Sequence, residues 1–323
     1  IQTFLLKTSI LDRFTAPLCR ALTGDKDPQQ ALEYLERANL FVTPLDNNRE
    51  WYRYHRLFAD LLRKRLPQKV GANNVAPLHR RASTWYEENG FAAEAIEHAL
   101  EASDFERAAD LIEANAEGAL MRSEIVTLSR WTTQLPDDLM RSRPCLNAYY
   151  AGTLLLTGQP MEIVEERLRQ AIATDADGSA TGVCALFGAM LSTFRVDAVR
   201  SSELARQALD CLPPENAYLR TLAANTLGIT YLMCGDYDSA VQAFDELAKN
   251  SQQTGNPLMA VGPLSNLAGL YMMRGQLHKA AGLYRRALEM ATDRQGQPLP
   301  VAGRALLGLG ELYREWNDLD RAT

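Results

Sequence analysis

The side chains best suited to metal or nucleophilic chemistry are four histidines and five cysteines, and their spacing in the sequence argues against both uses. His55, His79, His98 and His278 form no ligand-spaced cluster. Cys19, Cys145, Cys184, Cys211 and Cys234 are far apart, with no C-x-x-C pair, and read as buried free thiols of a reducing cytoplasm. The serines lack a G-x-S-x-G setting. The carboxylate pairs Glu87-Glu88, Asp137-Asp138 and Glu165-Glu166 are adjacent in sequence, so they diverge on a helix and read as solvated faces. No G-x-x-x-x-G-K-[ST] run is present to cradle a phosphate. The expectation is no catalytic residue, no metal and no cofactor held by this chain alone, and hence no enzyme.

One cluster could meet phosphates: Arg49, Arg53, Arg56, Arg63, Lys64, Arg65, Arg80 and Arg81. It fits either a DNA backbone or an intramolecular face. The chain as a whole is acidic, with 34 basic against 40 acidic residues and a formal net charge of −6. A nucleic-acid binder leaves a basic footprint, so the intramolecular face is favoured. No window reaches the roughly 18 uncharged apolar residues of a membrane span. The opening Ile1-Gln2-Thr3-Phe4-Leu5-Leu6-Lys7 has no signal design and reads as though it begins mid-protein.

These side chains must be positioned by repeats. At 323 residues the chain exceeds what one core of roughly 250–300 residues supports, so several units or an array are expected. Two segments align without gaps. Leu227-Gly228-x-x-Tyr231-x-x-x-Gly235, then Ala240 and Phe244, matches Leu267-Ala268-x-x-Tyr271-x-x-x-Gly275, then Ala280 and Tyr284. A third copy begins at Leu309-Gly310-x-x-Tyr313 and reaches Ala322. This is the tetratricopeptide pattern of small residues between two helices, A and B, and aromatics that fill the gaps. Gly235 and Gly275 suit the left-handed residue that ends helix A. Gly255-Asn256-Pro257 and Gly296-Gln297-Pro298 separate the copies. Weaker pairs precede them over 148–172 and 181–212, and two short amphipathic helices cover 91–100 and 105–114.

The first 66 residues differ. Helices fit 11–22 and 28–39. Leu40-Phe41-Val42-Thr43-Pro44 and Trp51-Tyr52-Arg53-Tyr54, around an Asp46-Asn47-Asn48 turn, predict a β-hairpin. A helix from His55 should stop at Pro67, with a linker over 69–76. The fold class is therefore mainly α: a winged-helix subdomain (1–68), helical linker repeats (75–140), and an α-α superhelix of tetratricopeptide-like repeats (141–323).

Phe4-Leu5-Leu6-Lys7-Thr8-Ser9-Ile10-Leu11-Asp12-Arg13-Phe14 resembles the opening of the winged helix of MalT-type regulators. So do Leu35-Glu36-Arg37-Ala38-Asn39-Leu40-Phe41-Val42 and the run from Trp51 to Leu62. Leu78-His79-Arg80-Arg81-Ala82-Ser83-x-Trp85-Tyr86-Glu87-Glu88-Asn89-Gly90, followed by Ala93, Ile96, His98 and Ala99, continues the likeness. Such regulators are signal-transduction ATPases with numerous domains. The resemblance implies a P-loop module before the winged helix and a LuxR-type DNA-reading domain after the repeats. ATP or ADP, self-association, DNA contact through that missing domain and a cytoplasmic location are implied for the longer protein.

The resemblance also offers a nucleotide-sensing residue. His55 stands where related ATPases carry a Met-His-Asp motif whose histidine meets the β-phosphate of ADP, although Tyr54 and Arg56 depart from it. Its alternative is a helix-start residue packed against the wing. In the repeats, the helix-A positions left free by the packing signature are Asn225, Ile229, Leu232 and Met233, then Ser265, Met272 and Met273. A methionine-bearing groove adapts to many shapes. It would take a small-molecule inducer or a regulatory protein; tight coiling of the repeats would bury it instead. The leading expectation is a regulatory sensor coupled to its own NTPase module, with no membrane partner. A pure protein scaffold and a DNA-binding winged helix are the rivals.

Overall fold

In a computed structural model, residues 1–38, 40–253 and 257–322 are described, with the side chains of 251–253, 257 and 258 left aside. The first six elements are α1 (Gln2–Thr8), α2 (Ala16–Thr23), α3 (Pro28–Arg37), β1 (Val42–Pro44), β2 (Tyr52–Tyr54) and α4 (Arg56–Val70). Then follow α5 (Val75–Glu88), α6 (Ala92–Glu101), α7 (Phe105–Met121), α8 (Ile125–Thr132) and α9 (Asp137–Ser142). The remaining helices pair as α10 (Pro144–Leu156) with α11 (Met161–Thr174), α12 (Thr181–Phe194) with α13 (Ala198–Cys211), and α14 (Ala217–Met233) with α15 (Tyr237–Gln253). The last two pairs are α16 (Val261–Met273) with α17 (Leu277–Met290), and α18 (Gly303–Glu315) with α19 (Leu319–Ala322). The chain divides into two compact units, residues 1–115 with 130–139, and residues 116–129 with 140–323.

The first unit contains the winged helix. Thr15 caps α2 by accepting from the Leu18 N–H, and Asp27 caps α3 by accepting from the Gln30 N–H. The hairpin is antiparallel, pairing Val42 with Tyr54 and Pro44 with Tyr52. Its turn is held by Asp46, whose carboxylate accepts from the Glu50 and Trp51 N–H groups at 3.0 and 2.7 Å. Those bonds hold the Asp46 carboxyl below the ordinary carboxylate range. Tyr52 and Tyr54 point inward and Arg53 outward, the two-residue period of a half-buried strand. Phe14 adds a fourth pairing by exchanging both backbone bonds with Tyr52 at 2.8 Å.

Three expectations shift here. A short helix, α1, forms within the opening run that the sequence had left without one. The α4 helix passes through Pro67 and ends at Gly71, with φ of +85°. A proline close to a helix end removes one ladder bond and leaves few turns beyond it to destabilise. The expected linker is accordingly a 3-10 turn over Ala72–Asn74, leading straight into α5. The breaks at Asn39 and at Gly255-Asn256 lie outside the described residues.

In the second unit the A helices α10, α12, α14, α16 and α18 form an inner row, each touching the next. The B helices α11, α13, α15 and α17 make their main contacts with A helices. The packing residues behave as their types require. A Cβ on Gly228 would come within 2.5 Å of the Phe244 ring, and one on Gly308 within 2.2 Å of the Tyr284 ring. Gly235 and Gly275 end their A helices at φ of +76° and +72°. At the matching position after α12 stands Val196, at φ of +60° and 77% exposed. A buried hydroxyl chain joins α12, α13 and α14: Thr193 Oγ1 lies 2.8 Å from Ser201 Oγ, which lies 2.8 Å from Thr230 Oγ1. Its ends meet the carbonyls of Ala189 and Thr226, both at 3.0 Å.

Candidate functional site

His55 is the N-cap of α4, placed by its own backbone. Its N–H donates to the Phe41 carbonyl at 2.8 Å, and its carbonyl accepts from Phe58 and Ala59 at 2.9 and 3.0 Å. Tyr54, one residue earlier, is anchored by a 2.6 Å contact between its hydroxyl and Thr8 Oγ1. The imidazole itself is exposed and has no hydrogen-bond partner among the described residues. Around it Phe41 takes φ of +59° and stacks obliquely on Phe58, while Leu57 is 74% exposed and Leu61 is exposed.

Much of the basic cluster is engaged within the unit. Arg49 pairs with Glu36, Arg63 with Asp12, and Arg80 with Asp104. Arg63 also donates to the Ser9 carbonyl, and Arg81 to that of Leu22.

The sequence did not bring His79 and His98 together; the α5–α6 packing does. Their Nδ1 atoms are 2.9 Å apart and their ring centroids 5.0 Å. With each nitrogen about 1.1 Å from its centroid by ring geometry, the lone-pair axes meet almost head-on, so one Nδ1–H donates to the other Nδ1. A metal needs two lone pairs that converge on it at about 2.0–2.1 Å each, and this arrangement does not supply that. Among the described residues no group of three or more His, Cys, Asp or Glu is placed to hold a metal. Burial lowers the pKa of His79 to about 4, with Arg63 adding to the effect. Burial lowers that of His98 to about 3, with His79 and Arg63 adding and Asp12 opposing. The pair lines a cavity of about 940 Å³ with Tyr86, Glu94, Glu101 and Arg53.

The expected repeat-groove residues are not equivalent to one another. Ser265 is fully buried, and its hydroxyl donates to the Val261 carbonyl of its own helix at 2.7 Å. Ile229 and Leu232 pack on the cluster of Phe244, Leu267 and Leu270. Met272 packs on the cluster that includes Leu264, Tyr284 and Leu309. Met233 is half-buried and Met273 is 71% exposed. Asn225 accepts from Asn266 Nδ2 at 2.8 Å, which ties α14 to α16 through two side-chain amides. Asn266 is a residue the sequence reading missed; it lies one position beyond Ser265, and only the one-residue shift between neighbouring helices reveals the pairing. A second cleft, of about 550 Å³, lies between α14 and α15, with Leu209 of α13 at its edge.

The fold and these positions define a winged helix followed by tetratricopeptide-like repeats. The MalT winged helix domain family matches residues 1–73, and the family described as the MalT-like TPR region matches residues 182–323. The HTH-type transcriptional regulator MalT of Serratia proteamaculans is 29% identical over 329 aligned residues, covering 99% of this chain and 36% of that protein. The serine/threonine-protein kinase PknK of Mycobacterium tuberculosis is 37% identical over 160 residues, half of this chain and 14% of the kinase. A crystal structure of a signal-transduction ATPase with a tetratricopeptide repeat sensor from Pyrococcus horikoshii superposes with a TM-score of 0.67 at 15% identity, over 99% of this chain and 48% of that one. The chain thus carries a MalT-type winged helix and a MalT-like repeat region. It spans well under two thirds of each of these relatives. No described helix is long and apolar enough to cross a membrane.

Proposed function

We propose that this chain is the sensing and coupling part of a MalT-type transcriptional regulator. Its repeats receive an inducer or a partner protein, and its winged helix passes the result to a nucleotide-binding module. The observation that carries this reading is the inner row of A helices. There Met273 is exposed and Met233 half-buried, about two turns along their helices from the Asn225–Asn266 amide bridge, while neighbouring side chains are consumed by packing. Flexible apolar side chains on the helices that a fixed amide joins can fit a varied surface and still orient it.

The winged helix supports the coupling half. His55 is exposed, next to Phe41, Leu57 and Leu61, and exposed apolar groups of this size mark contact surfaces. The NTPase module of the longer regulator would cover this face and bring the phosphates of ADP to His55. ATP or ADP would then be held by that module, and DNA by a further domain, in a protein that self-associates in the cytoplasm. The internal pairing of Arg49, Arg63, Arg80 and Arg81 favours this over a DNA-binding winged helix.

The test is Met273→Glu in the longer regulator, with circular dichroism monitoring the fold and a reporter the response. A folded variant that no longer responds supports the inner row. A normal response removes it. A pure scaffold is separated by thermal shift, because a ligand that binds the native state raises its apparent stability.

A further inference from the structure

We infer that the repeats hold a second site, a cleft between α14 and α15 with Leu209 of α13 at its edge, that takes a small uncharged molecule. The inference rests on reading the repeats as the sensing part, but it places the small molecule on residues other than Met233 and Met273. The cleft lies where outer helices make their main contacts with inner ones. Here the facing side chains are also small. Ala224 of α14 and Ala243 of α15 leave open a floor completed by Leu209, Leu227 and Leu247. At about 550 Å³, the space lies within the range of small-molecule sites, roughly 300–1,000 Å³.

The polar groups set the ligand class. Arg220 is the cation of the lining, and its Nη1 is already bonded to the Leu209 and Leu212 carbonyls at 2.6 and 2.7 Å. Those carbonyls lie at the end of α13, whose dipole offsets part of the charge. Glu246 sits exposed on the rim, where water solvates it. The lining thus holds one cation and one anion, Arg220 and Glu246, and favours neither sign of ligand, so an ionic ligand would gain little against its lost hydration. Gln242 and Asn250 stand two turns apart along α15 and offer donors and acceptors at one edge, with Thr221 and Tyr231 on the opposite wall. A neutral molecule with an apolar face and hydrogen-bonding groups along one side satisfies both walls.

The experiment uses the 323-residue chain with Gln242→Cys, in a background where the exposed Cys211 and Cys234 are changed to Ser. Three disulfide-bearing fragments of equal size compete for Cys capture under reductant: a neutral aryl amide, a carboxylate and an ammonium. The neutral fragment should be captured about tenfold in excess, and Ala243→Trp, which fills the cleft, should abolish the excess. Should that variant unfold by circular dichroism, Thr221→Trp fills the same space from the other wall. Equal capture of all three, or an excess that survives a folded filling variant, overturns the proposal. In the longer regulator, a folded Ala243→Trp variant that still answers its small-molecule inducer also overturns it. If Met273→Glu silences that same regulator, the repeats remain the sensor and only the cleft is lost.

Discussion

His79 and His98 share one proton across 2.9 Å, Nδ1 to Nδ1, and the contact needs at least one of those nitrogens bare. Burial lowers both pKa values from the ordinary 6.5, to about 4 and about 3. The folded state thus favours the neutral rings, and the stability this gives is present in full above pH 6.5. It is lost as pH falls from 6.5 toward 4, by up to about 1.4 kcal/mol per proton for each pH unit. Urea melts at pH 7 and pH 5 should show this loss, and a His79→Gln/His98→Gln variant should show less of it. An equal pH dependence in both proteins would assign the loss to other groups.

Gly228 and Gly282 both lie within helices of the repeats, yet alanine should act on them in opposite directions. At Gly228 the new Cβ would meet the Phe244 ring at 2.5 Å, whereas at Gly282 it would meet nothing within 4 Å. Overpacking costs roughly 1–3 kcal/mol, more than the gain of about 1 kcal/mol from replacing glycine in a helix. Gly228→Ala should lower the urea midpoint and Gly282→Ala should raise it. Adding Phe244→Leu to Gly228→Ala should recover part of the loss by removing the clash.

Val196 stands where the neighbouring repeats have Gly158, Gly235 and Gly275, in the left-handed region and largely exposed. A β-branched residue there carries strain of roughly 1–2 kcal/mol. Val196→Gly removes it and gives back part through the greater freedom of the unfolded chain. A net gain of about 0.5–1 kcal/mol is expected in denaturant unfolding. A loss instead would mean that the isopropyl group makes contacts worth more than the strain.

His55→Ala, in the longer regulator, should speed the release of bound ADP and raise transcription in the absence of inducer. The free protein loses little, because the imidazole is exposed and the cap is made by backbone atoms. Unchanged ADP retention together with unchanged basal transcription would leave His55 as a helix-start residue only.

The sequence displays the features that local chemistry dictates. The Asp46 turn, the alternation of Tyr52, Arg53 and Tyr54, and the Gly235 and Gly275 stops each follow from residue type and spacing, and each is found in place. Contacts set by how helices face one another are hidden from it. His79 and His98 are 19 residues apart, and they meet only because α5 and α6 pack with those two faces inward. Ser265 and Asn266 make the same point. From the repeat signature Ser265 reads as the groove position, but the turn of α16 gives the interhelical bond to Asn266. The cleft is equally hidden, since two alanines signal nothing until their helices are placed opposite each other.

The hydroxyl chain between the repeats has a further property. Thr193, Ser201 and Thr230 own three protons, while the chain from the Ala189 carbonyl to the Thr226 carbonyl contains four short contacts. One contact is always without a hydrogen, and the vacancy can stand at any of the four. Moving it takes only hydroxyl rotation, and the number of bonds is unchanged. α12, α13 and α14 are thereby joined by a seam with a residual proton-ordering entropy. Shear along the seam relocates the vacancy at no cost in hydrogen bonds, whereas pulling the helices apart breaks bonds outright. The seam therefore resists separation of these helices more than sliding between them.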